Sequence, residues 1–65
     1  MIAKELNGNH IGKTFVGYTR IDGFRYLRNE PITMILHKKN GSVSIRTGPS
    51  NSQYLIKGDV EVGVE

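Results

Sequence analysis

Apolar and polar residues alternate with a period of two along most of this chain, and helical spacing is weak almost everywhere. From Lys13 to Ile21, Thr14, Val16, Tyr18 and Arg20 alternate with Phe15, Gly17, Thr19 and Ile21. The stretch is rich in β-branched and aromatic residues and reads as a strand. Asp22-Gly23 follows as a two-residue hairpin signal, and Phe24 to Arg28 reads as the returning strand, broken at Asn29-Glu30-Pro31. Ile32 to Lys38 and Val43 to Thr47 flank Asn40-Gly41, a pair suited to a type I′ turn. A two-residue turn there sets Lys38 opposite Val43, Leu36 opposite Ile45 and Met34 opposite Thr47 on an apolar face. His37 opposite Ser44 and Ile35 opposite Arg46 then form a mostly polar face.

Gly48 to Ser52 reads as a loop. Ser50-x-x-Gln53 is either a capping box opening a helical turn from Asn51 to Lys57, or the lead-in to a short strand, Gln53 to Ile56. Val60, Val62 and Val64 alternate with Glu61, Gly63 and Glu65, so the chain ends in a strand. Residues 2–6 fit a helical turn stopped at Asn7-Gly8 or an edge strand. The core expected from this pattern is Phe15, Ile21, Phe24, Met34, Leu36, Val43, Ile45, Leu55, Val60 and Val62.

Five strands with tight turns imply an all-β fold: a small five-stranded barrel or a twisted antiparallel sheet, with at most one short helical turn. The 65 residues form one domain, with residues 1–9 as an N-terminal turn or edge segment and 10–64 as the barrel. The strand count, the hairpin at Asn40-Gly41 and a Gly58-Asp59-Val60 turn before the last strand resemble SH3-like barrels, including the KOW-like and Sm-like variants. The likeness is architectural and spans about residues 10–64. The Ala-Leu-Tyr-Asp-Tyr stretch and tryptophan of proline-binding SH3 domains are missing, so it carries over no functional residue.

Composition narrows the function classes. There is no cysteine, so disulfides and cysteine-based zinc sites are excluded, and His10 and His37 are too few for a histidine-rich metal site. No metal or cofactor is expected. A core of this size rarely supplies more than about 3–5 kcal/mol, which makes a homo-oligomer an expected source of further stability. No apolar run approaches a membrane span, and the Met1–Leu6 segment carries a glutamate and no apolar signal region. The expected place is the cytoplasm, away from membranes.

The net charge of +3 is unevenly placed. Lys13, Arg20, Arg25, Arg28, Lys38, Lys39 and Arg46 face only Asp22 and Glu30 between residues 10 and 46, whereas the C-terminal stretch is acidic. A basic middle attracts phosphate backbones, although solvation alone also explains it. Arg20 and Arg25 fall directly opposite each other across an Asp22-Gly23 turn, an unfavourable pairing unless an anion lies between them. Tyr18 is the candidate exposed ring, with Phe24 and Tyr26 in the core. Lys38, Lys39 and Arg46 surround the second hairpin, where lysine is also ordinary surface. Ile35, exposed beside His37, marks a partner surface, though single exposed apolar residues are normal. Gly8-Asn9-His10-Ile11-Gly12-Lys13-Thr14 looks like a phosphate loop, but it is one residue short between its glycines and precedes a strand. No serine–histidine–aspartate or histidine–carboxylate arrangement supports catalysis.

The function expected is therefore a small non-enzymatic module, of a size common among phage and mobile-element proteins. It would contact nucleic acid through Arg20, Arg25, Arg28, Lys38, Lys39, Arg46 and Tyr18. The alternative is an assembly module that binds another protein or a second copy through a sheet edge or the Ile35–His37 surface.

Overall fold

A computed structural model describes all residues, 1–65, and is all-β. Its strands are β1 (Thr14–Arg20), β2 (Gly23–His37), β3 (Ser42–Thr47), β4 (Ser52–Lys57) and β5 (Val62–Val64). They form one antiparallel sheet in the order β4-β3-β2-β1-β5. The sheet does not close into a barrel, because β4 and β5 are its two ends. Two short turns of 3-10 helix, Ala3–Glu5 and Gly8–His10, precede it.

β2 determines the shape. Extended, its 15 residues would span about 50 Å. The longest dimension of the molecule is 27 Å, so the strand has to bend. Its first half pairs with β1 and its second with β3. The changeover lies at Asn29-Glu30-Pro31, where Asn29 adopts a left-handed φ of 55°. There Ile32 exchanges backbone hydrogen bonds with Gly12 and Lys13, each of 2.8 Å, and stands opposite Thr47 on its other side.

Bending brings the two halves of the sheet over one cluster. Phe15 of β1, Val62 of β5, Ile32 of β2, Val43 and Ile45 of β3 and Ile56 of β4 are buried together, with Ala3 and Leu6 from the N-terminal segment. Aromatic rings cross the gap: Phe15 meets Tyr54 edge-on at 5.5 Å, and Tyr18 lies 6.2 Å from Tyr54. The N-terminal segment covers the entry to β5. Ala3 N–H donates to Val60 O (2.8 Å), Val62 N–H donates to Met1 O (2.8 Å), and the terminal amine lies 2.9 Å from Glu61 Oε1.

The alternation is real, but its phase departs from the expected one at both hairpin loops and at irregularities in β1 and, between Ile32 and Met34, in β2. A β-bulge between Phe15 and Gly17 lets both Phe15 and Tyr18 face inward, so Gly17, Thr19 and Ile21 face out. The first hairpin loop is Ile21-Asp22, with Arg20 opposite Gly23 and Tyr18 opposite Arg25; Arg20 does not face Arg25 directly. The second loop has three residues, Lys39-Asn40-Gly41. Gly41 N–H donates to Lys38 O (3.0 Å) and Lys38 N–H to Ser42 O (2.8 Å), with Gly41 at a φ of 90° that a side chain resists. The one-residue difference sets Ile35 opposite Ile45 and His37 opposite Val43, and turns Leu36 outward.

The core changes accordingly. Phe15, Val43, Ile45 and Val62 are buried as expected, and Met34 and Val60 are half-buried. Ile21, Phe24, Leu36 and Leu55 are exposed, their places taken by Ala3, Leu6, Ile32 and Ile56. Residues 52–57 form the strand, not the helical turn. Tyr54 and Ile56 face inward two residues apart, and Ser50 turns its N–H and hydroxyl to Glu30.

Glu30 is a buried carboxylate at the bend. Its Oε2 accepts the Ser50 N–H (2.8 Å), and its Oε1 accepts the Ser50 hydroxyl and, at 3.4 Å, that of Thr47. The Ser50 hydroxyl and N–H hold the carboxyl below its ordinary pKa against the opposing effect of burial, helped by Thr47 and by the charge of Arg28. A depressed folded-state pKa means stability that is present above the unfolded carboxylate's pKa, about 4.3, and lost as pH falls through the folded value. Urea unfolding from pH 7 down to pH 3 is expected to show a falling midpoint. Glu30→Gln should unfold earlier at pH 7 and lose part of that acid dependence; a pH profile identical to wild type would contradict the role assigned to Glu30.

Candidate nucleic-acid interface

β1 and the first half of β2 make a two-stranded ribbon ending in the Ile21-Asp22 turn. Alternation puts Tyr18, Arg20 and Arg25 on its inner side. Arg20, opposite Gly23, is diagonal to Arg25, opposite Tyr18, which removes the direct like-charge pairing. Both arginines line one shallow depression of about 270 Å³ with Asp22, Gly23 and Phe24. Arg28 is exposed further along β2. Leu27 packs on the core, so its neighbours Tyr26 and Arg28 both turn outward.

The outer side of this ribbon carries Phe24 and Tyr26, which the sequence pattern assigned to the core. Tyr26 is 77% exposed, and its ring meets that of Phe24 edge-on at 4.9 Å and 62°. The Phe24 ring lies across two glycines of neighbouring strands. A Cβ at Gly17 would overlap both the ring and the Arg25 carbonyl oxygen, and one at Gly63 would come within 3.3 Å of the ring. The glycines signal this packing, but only once the register is known.

The other predicted residues lie elsewhere. Lys38 and Lys39 are exposed at the second hairpin, on the other end of β2. Beside that hairpin, Asn40, Gly41 and Ser42 share a depression of about 440 Å³ with Lys4, Lys57 and Asp59. It has no residue in common with the arginine depression. Lys4 and Lys57 are additions that long-range contacts alone bring there. Arg46 lies on the outer side of β3, where its guanidinium donates to Gln53 Oε1 (3.2 Å) and its Nε is buried without a partner. Tyr18 is half-buried and stacked against Phe15 at 6.5 Å, so it is a flank of the core and not a free ring.

The expected partner surface also moves. Ile35 is half-buried against the core, and His37 Nε2 donates to Leu6 O at 2.6 Å. A carbonyl only accepts, so this nitrogen carries the proton. The exposed apolar residues on that half of the sheet are Leu36 (51%) and Leu55 (64%), on β2 and β4, which flank the buried Ser44 opposite both of them on β3.

The charged groups are used unequally. The single salt bridge joins the terminal amine to Glu61, and no lysine or arginine side chain has a carboxylate partner. No group of three histidine, aspartate or glutamate residues is arranged to hold a metal ion, and no helix is long and apolar enough to cross a membrane. No family model, curated protein or solved structure matches the chain.

The exchange of Ile35 and Leu36 between faces is measurable. Ile35→Ala is expected to cost about 1–2 kcal/mol, as a half-buried site losing three carbons, and Leu36→Ala no more than about 0.5 kcal/mol. Chemical denaturation of both variants checks this, and the reverse ranking would restore the two-residue turn register.

Proposed function

We propose that the protein is a small non-enzymatic module that contacts the phosphates of nucleic acid through its β1–β2 ribbon. The observation that carries this reading is the set Arg20, Arg25 and Arg28, exposed on one ribbon and none of them in a salt bridge, Arg28 acting on Glu30 only through its charge. Guanidinium groups bind phosphate oxygens through paired N–H donors, and free ones need no partner removed first. Lys38 and Lys39, with Lys4 and Lys57 nearby, offer a second and weaker set of phosphate contacts. Arg46, held by Gln53, is the least available of the basic residues. The module would act in the cytoplasm, and its size suits a phage or mobile-element protein.

Titration of labelled DNA and RNA across a range of salt concentrations tests this. The affinity is expected to fall steeply with salt, and the triple variant Arg20→Gln/Arg25→Gln/Arg28→Gln should flatten the log–log slope by about 2 units. Binding that ignores salt, or no binding at low salt, would end the proposal.

A second reading rests on the exposed Leu36 and Leu55 and the adjoining unpaired edge of β4. Exposed apolar side chains beside an open strand edge form a surface suited to association with another copy. It predicts an oligomer in light scattering that persists in high salt and dissociates in Leu55→Glu. A monomer at all concentrations would discard it.

A further inference from the structure

The outer side of the ribbon carries Arg28 of the phosphate set and, beside it, a largely exposed aromatic ring. Tyr26 projects from a central strand with 77% of its surface open. Its position is supported from below. Phe24 covers Gly17 and Gly63 and presents its ring to Tyr26 at 4.9 Å. An aromatic held in this way loses little freedom when a flat group is laid on it. Arg28 stands two residues further along the same side of β2, and Arg20 and Arg25 lie at the ribbon tip.

We infer, resting on the nucleic-acid reading above, that Tyr26 backed by Phe24 is a base-stacking platform and that the ligand is single-stranded. Bases in a duplex are stacked on each other and show a protein only their edges. A ring with an open face therefore finds a stacking partner where bases are free, and Arg28 on the same side, with Arg20 and Arg25 where the strand passes round the ribbon tip, would hold its phosphates. The charge of the ribbon suits an anionic strand: between Thr14 and Asn29 the only carboxylate is Asp22, against Arg28 on this side and Arg20 and Arg25 near the tip on the other.

The probe is a labelled oligothymidine of about 20 nucleotides, compared by anisotropy with a duplex of the same length at one low salt concentration. The single strand is expected to bind about 10-fold more tightly or better. Tyr26→Ala should weaken single-strand binding by about 10-fold with an unchanged salt slope, because it removes stacking and no charge. Tyr26→Phe should bind like the wild type, since it keeps the ring. Equal affinity for both forms with Tyr26→Ala neutral would overturn the platform and leave phosphate contact standing. Absence of salt-dependent binding to either form would overturn both readings. A salt-resistant oligomer lost in Tyr26→Ala would make this side a protein interface and overturn the platform as well.

Discussion

The bend of β2 is the constraint on which the molecule depends. A sheet of five strands in 65 residues has only two faces, and flat it would cover neither. Making one strand serve both halves folds the sheet over its own inner face, and Phe15, Ile32, Ile45 and Val62 then share one interior. The bend exposes backbone and needs a fastening. Glu30 supplies it by accepting hydrogen bonds from Thr47 at the end of β3 and from Ser50 beyond it, which ties the turning point of β2 to the loop entering β4. A charged group at so small a core is tolerated because its oxygens receive three donors.

Strand content was legible in the sequence because apolar and polar residues alternate along most of the strands, between the irregularities of β1 and β2. Phase was not, because one extra residue reverses it. The bulge after Phe15 and the third loop residue at Gly41 each act over a short distance, yet between them they moved Phe24, Ile35 and Leu36 to the opposite faces. Asn40-Gly41 is compatible with both a two-residue and a three-residue loop. The choice follows from β3, where Val43 and Ile45 must face Ile56 and Phe15. Residues 50–57 show the same competition: the local capping signal at Ser50 yields to its bonds with Glu30, a partner 20 positions away.

The candidate site was legible in part for the same reason. Charge does not depend on phase: a basic residue in a hairpin is exposed whichever way it points, and Arg20, Arg25, Arg28, Lys38 and Lys39 are all exposed. Aromatic residues depend on phase entirely. Tyr18 and Tyr26 exchanged roles, the first drawn into the core by the bulge and the second turned out above Gly17. Lys4 and Lys57 escaped notice because only folding brings residue 4 beside residues 41 and 58.

The formal charge also understates how differently the two signs are employed. Of six carboxylates, Glu30 is buried at the bend, Glu61 holds the terminal amine and Glu5 accepts the Ile2 N–H at 2.9 Å. Half of the acidic groups thus serve the fold. Of the nine lysines and arginines none meets a carboxylate, and only Arg46 makes a side-chain hydrogen bond, to Gln53. A surface charged only for solubility has no need of this division, since exposed pairs form readily and contribute little either way. Only Glu30 is buried, but with Glu5 and Glu61 also engaged, Asp22 is the one uncommitted acid among the three arginines of the first hairpin. An excess of unpaired positive charge of this kind is what the proposed reading requires, since long-range attraction would bring a polyanion to the ribbon before any close contact forms.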